Sequence, residues 1–140
     1  MEVFKDAENR EWSIRITIST VKDIRSLCDI DIMEQSGEAI KSLGEDPCLL
    51  ADVLYVSCKK EADEKGITDI QFGEGLRGDA IDSATEAFLN ELVNFFPRAR
   101  GQLMKKTLAR AKILQKEAFE KIEGEIENLS LDELTKSLVS

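Results

Sequence analysis

The densest set of side chains able to do chemistry is acidic: Asp63, Glu64, Asp69, Glu74, Asp79, Asp82 and Glu86 lie close together in the chain. Carboxylates at this density can hold a hard cation, but Asp79 and Asp82 lack the alternating ligands and the turn glycine of a calcium loop. The cluster therefore reads as a solvated acidic surface. Phe72-Gly-Glu-Gly75 brings glycines without the G-x-G-x-x-G or G-x-x-x-x-G-K arrangement that cradles phosphate, and no parallel strand precedes it, so these glycines read as punctuation. The chain has no histidine. That removes the usual general base, the usual activator of a serine or cysteine nucleophile and the commonest zinc ligand together. Cys28, Cys48 and Cys58 are odd in number and show no C-x-x-C spacing, and they read as small buried apolar residues. The expectation is a protein that is not an enzyme, with no catalytic residues, no cofactor and no metal.

Binding remains, and charge narrows it. The 140 residues carry a net charge of −9, with 42% hydrophobic and 34% charged residues. That suits one domain with a core large enough to stand without disulfides. Residues 61–97 hold Lys65 and Arg77 against nine acids, whereas Arg98, Arg100, Lys105, Lys106, Arg110, Lys112 and Lys116 run with no acid among them. The acidic balance opposes phosphate-backbone binding by the whole surface. The basic run also lacks rings that could stack on bases, Phe119 being the only aromatic residue after Phe96. An acidic partner, or residues 61–97, suits it better than nucleic acid. The N-terminus has no basic segment leading into an apolar one, and the nearly apolar stretch from Cys48 to Cys58 is interrupted by Asp52. It is far shorter than the about 20 residues a bilayer requires. A cytoplasmic protein with no membrane partner is the expectation.

The elements that must position these residues follow from periodicity. Trp12, Ile14, Ile16 and Ile18 alternate with Ser13, Arg15 and Thr17, predicting a half-buried strand over 11–18. Val3-Phe4-Lys5 pairs with it in a hairpin, with Asn9 available for a left-handed turn residue. A lone hairpin is marginal in water, so Trp12, Ile14 and Ile16 must dock on helices. Thr20 caps a helix over 20–28 carrying Val21, Ile24, Leu27 and Cys28, while Asp29 to Met33 fits either a short strand or a loop. Asp46-Pro47 starts a helix with Leu49, Leu50, Val53, Leu54 and Val56 that runs to about Lys60, with a break at Gly66. Thr68-x-x-Gln71 boxes a short helix carrying Phe72, and Asp79 caps another with Ile81, Ala84, Phe88, Leu92 and Phe95 in one stripe, stopped by Pro97. A helix from about Arg98 to Ile126 and a capped one after Ser130 complete the chain. The fold class is mainly α: a small helical single domain over 1–140, with an N-terminal β-hairpin (1–18), a helical body (20–97) and a long basic helix with a C-terminal tail (98–140).

Four segments taken together carry a resemblance: Trp12-x-Ile-x-Ile-Thr with Lys22-x-Ile-Arg25; Asp46-Pro-x-Leu-Leu-x-Asp-Val-Leu-Tyr55; Phe72-Gly-x-x-Leu-x-Gly-Asp-Ala-Ile81; and Glu91-Leu-Val-x-Phe-Phe-Pro97. Over residues 1 to about 100 the chain resembles tail assembly chaperones of phages and prophages. The resemblance implies a non-enzymatic helical protein that coats the helical tape-measure protein while the tail tube is built. No functional residue carries over from it.

The residues expected to make protein contacts come from the chain itself. Neighbours on a helix point about 100° apart, so Phe95 and Phe96 cannot share a face, and one of them, Phe96 in this reading, meets a second helix or a partner. Met104, Leu108, Ala111, Leu114, Ala118 and Ile122 form a thin apolar seam suited to helix–helix association, either in a homo-oligomer in which flanking bases meet residues 61–97 of a neighbouring copy or by packing within the same chain. Two alternatives stand beside the chaperone: a structural virion or tail-completion protein that stays in the particle, and a nucleic-acid-binding regulator using residues 98–116.

Overall fold

A computed structural model describes residues 2–34 and 36–127. The protein is mainly α, with a two-stranded antiparallel hairpin at its N-terminus and six helices among the described residues. In chain order these are β1 (Glu2–Lys5), β2 (Glu11–Ile14), α1 (Ile18–Cys28), α2 (Glu38–Glu45), α3 (Pro47–Lys65), α4 (Asp69–Glu74), α5 (Asp79–Phe95) and α6 (Arg98–Glu127). The chain divides into two compact units, one ending at Arg98 and one beginning at Ala99. The capped helix expected after Ser130 lies outside the described residues.

The hairpin pairs Phe4 with Trp12 and Val3 with Ser13, and Asn9 takes the left-handed conformation at φ 61°. β1 lies against α5 and β2 against α3. The outer edge of β2 does not face water bare. Its Ser13 N–H donates to Glu61 Oε1 at 2.9 Å, and its Glu11 carbonyl accepts from Lys65 Nζ, both side chains coming from α3. An open strand edge is a template for pairing with another chain, and α3 closes this one with side chains.

Trp12, Ile14 and Ile16 are buried as expected, and Trp12 is 0% exposed. The indole meets Phe72 of α4 edge-on at 5.0 Å, Phe72 touches Tyr55 of α3 at 5.6 Å, and Lys65 Nζ stands 4.4 Å from the indole ring centre. Edge-to-face rings with a cation over the indole contribute beyond their buried area.

The turn of the hairpin is locked by one carboxylate. Asp6, buried, accepts from the backbone N–H groups of Glu8 and Arg10, from Arg10 Nε at 2.8 Å and from Trp12 Nε1 at 2.9 Å. Arg10 Nη2 then donates to the Gln71 carbonyl, and the Ala7 N–H to the Gly75 carbonyl, fastening the turn to α4. Burial pushes the Asp6 carboxyl up, but the bonds from Trp12, Arg10 and Glu8 together outweigh it and hold the group below its ordinary range. Gly75 has to be glycine here, since a Cβ would sit 2.7 Å from Asp6 Oδ2 and 2.9 Å from Arg10 Nη2.

Several boundaries differ from the sequence reading. The strand stops at Ile14, and Ile18 is exposed at the start of α1. The reason is Thr17, whose hydroxyl accepts from the Thr20 N–H while Thr20 returns a bond to the Thr17 backbone. Thr20 is thus the third helical residue and not the cap. Val21 and Ile24 are buried, but Leu27 points to water, and Asp29 ends α1 in the left-handed region. The Asp29 to Met33 segment is a loop that buries Ile32. Asp46 caps α3 through its carboxylate and Gly66 ends it at φ 68°, five residues beyond the expected stop. The Thr68–Gln71 box is present in α4. Gly78 and not Asp79 precedes α5, leaving Asp79 in the first turn, where its charge favours the helix dipole. The α5 stripe holds, with Ala84, Phe88 and Leu92 buried. The segment before α3 also contains a helix that periodicity alone did not reveal, α2. Its first N–H groups are served from ahead of the helix: Glu38 donates to the Ser36 hydroxyl and Ala39 to the Glu34 carboxylate, and the bonds that Glu34 accepts from Ser36 and Ala39 hold that carboxyl well below the usual range.

The cysteines do not share one environment. Cys58 is buried, Cys28 is half-buried, and Cys48, in the first turn of α3, is exposed, contrary to the expectation that all three are core residues. Burial, with the Glu61 charge adding to it, pushes the Cys58 thiol up to about 12. Thiol titration of the native protein with Ellman's reagent should modify Cys48 first and leave Cys58 silent until denaturant is added. Prompt reaction of all three would contradict the docking of β2 on α3.

Candidate protein-binding surface

α6 holds 30 residues, about 45 Å of helix at 1.5 Å per residue. Between Phe95 and Arg98 the chain leaves the helical path at Phe96, which adopts an extended conformation ahead of Pro97. Proline at that point has no N–H to continue a ladder, and a new helix begins. The hydroxyl of Thr107 turns back to the Leu103 carbonyl at 3.0 Å, a local bond that keeps a polar side chain satisfied within its own helix.

Most large apolar side chains of α6 are open to solvent. Leu103 is 66% exposed, Leu114 58%, Phe119 61% and Ile122 53%, while Met104 and Leu108 are half-buried and Ala118 is exposed. At 100° per residue, Met104, Leu108, Ala118 and Ile122 fall within about 80° of one another. The Ala111 side chain lies outside those described. Leu114 and Leu103 border this seam on one edge, and Phe119 borders it on the other. Ile113, also exposed, stands about opposite. The apolar side is therefore broader than the six-residue seam, because Leu103 and Phe119 fall outside the spacings of three and four that start at Met104. Their signal was present as bulk at the edges of the stripe.

Phe96 precedes α6 in the chain and lies outside that helix. It is half-buried with its ring edge-to-face on Phe95 at 5.8 Å. Two adjacent rings meet because Phe96 has left the helix, so the 100° rule that separates helical neighbours no longer applies to it.

Arg98, Arg100, Lys105, Lys106, Arg110 and Lys116 are all exposed along the first part of α6. In the compact N-terminal unit, Asp63, Glu64, Asp69, Glu74, Asp79, Asp82 and Glu86 are exposed as well, as expected for a solvated acidic surface. Among the described residues no group of three or more His, Cys, Asp or Glu is arranged to hold a metal ion, and no helix is long and apolar enough to cross a membrane. What α6 can do is bury apolar area against another helix, its apolar side being flanked by charged residues. Compared with known proteins, the chain matches no family model, no curated protein and no solved structure.

Proposed function

We propose that the protein is a non-catalytic, cytoplasmic assembly chaperone of the phage tail kind, which holds a long helical client of the tape-measure class on α6. The observation that carries this reading is the exposure of Leu103, Leu114, Phe119 and Ile122 along one side of a 30-residue helix. Large apolar groups left in water are unfavourable by about 1.5–3 kcal/mol each, and a client helix that covers them recovers that free energy. The resemblance over residues 1 to about 100 supplies the class of client.

Co-expression with a long helical tape-measure protein of a tailed phage tests the reading. The two should co-purify, and Leu114→Glu with Phe119→Glu should abolish the complex while leaving far-UV circular dichroism unchanged, since both positions are exposed. Undiminished co-purification by the double variant, or no complex with the wild-type chain, would overturn it.

A further inference from the structure

The charges of α6 run opposite to what an isolated helix prefers. From Arg98 to Lys116 every ionisable residue is basic, seven of them; from Glu117 to Glu127 five are acidic and only Lys121 is basic. The N-terminus of a helix is the positive end of its dipole and the C-terminus the negative end, so acids favour the first turn and bases the last. α6 has no acid in its first turn and no base in its last. A second helix laid antiparallel relieves this arrangement, because its acidic end lies along the basic half and the two dipoles oppose.

Four of the six seam residues have the symmetry that such a partner requires. About a midpoint at residue 113, Met104 falls opposite Ile122 and Leu108 falls opposite Ala118, a large side chain against a small one. Alternation of large and small residues across the axis lets two helices interdigitate. In a parallel pair, Leu108 would face Leu108 and basic half would face basic half.

We propose that the seam of α6 is covered by α6 of a second copy of this chain, paired antiparallel about residue 113, and that a client helix exchanges with that copy. The exchange rests on the client-binding reading; the pairing does not.

Light scattering of the full chain should give twice its 15.7 kDa mass, and a monomer at all concentrations overturns the pairing. Orientation is tested by disulfide trapping. Cys28→Ser and Cys48→Ser remove the reachable thiols, and Met104→Cys and Ile122→Cys are then introduced into separate chains. Antiparallel pairing puts positions 104 and 122 side by side but keeps two copies of 104 about 27 Å apart along the axis. Mixing should therefore yield the mixed disulfide, with little crosslinking within either variant alone. Self-crosslinked Met104→Cys would indicate a parallel pair and overturn the proposal. Glu120→Lys with Glu123→Lys, at exposed positions, should raise the dimer dissociation constant about tenfold or more with helicity unchanged. An unaltered constant would show that charge does not set the pairing. Should the dimer form while no client binds, the chaperone reading fails and the pairing stands.

Discussion

Trp12→Ala is expected to lower the unfolding free energy of the protein by about 3–5 kcal/mol, the range for removing a fully buried large aromatic side chain. The ring is 0% exposed, lies 5.0 Å from Phe72 with Lys65 above it, and gives its N–H to Asp6. Truncation opens a cavity between the hairpin and α4 and deprives a buried carboxylate of a donor in the same step. Domains of this size are stable by about 5–15 kcal/mol, so the loss is a large share of the whole. Urea unfolding followed by far-UV circular dichroism measures it, and Trp12→Phe, which keeps a ring but not the N–H, should lose distinctly less. In the wild-type chain the single tryptophan should emit well to the blue of its position in water. A water-like emission maximum, or a loss under 1 kcal/mol in Trp12→Ala, would show that the hairpin does not dock as described.

Asp6→Ala is the second large effect, expected at about 3 kcal/mol, because four donors converge on this carboxylate and hydrogen bonds to charged groups are worth more than neutral ones. The same group gives a pH dependence with a definite sign. Its folded carboxyl titrates below the ordinary 3.8. The charged form is therefore favoured by folding, and that contribution is fully present above pH 3.8 and lost as pH falls through the lowered value. Asp6→Asn should show a flatter stability profile below about pH 4 than the wild type, measured by urea midpoints across a pH series. Parallel profiles for the two proteins would mean the carboxylate is not held as a charge.

Asp6 also shows where the sequence was silent. Its partners, Arg10, Trp12 and, through Arg10, Gln71, are assembled by the fastening of the turn to α4, which no local pattern announces. The Asp46-Pro47 start and the Thr68–Gln71 box were legible because cap and capped N–H lie within three residues of each other. α2 was not, since it begins at a left-handed Gly37 with no side-chain cap of its own, and the carboxylate that serves it comes from Glu34, ahead of the usual cap position. The slip at Thr17 has a similar origin. Threonine suits a strand and a cap equally well, and the hydroxyl bond to Thr20 decided between them. On α6 the stripe could be read because period alone defines it, while the exposure of its side chains is a property of the folded chain that no local pattern encodes.

The hairpin's dependence on α3, α4 and α5 has a consequence for the order of events during synthesis. Phe4, Trp12, Ile14 and Ile16 leave the ribosome first, yet the groups that receive them, Glu61, Lys65, Phe72 and the alanine-rich face of α5, follow 50 to 80 residues later. At about 5–20 residues per second, several seconds pass in which these apolar side chains have nothing to lie on. Folding therefore closes on the hairpin last, and a nascent chain arrested before α5 presents Trp12 as an exposed apolar side chain.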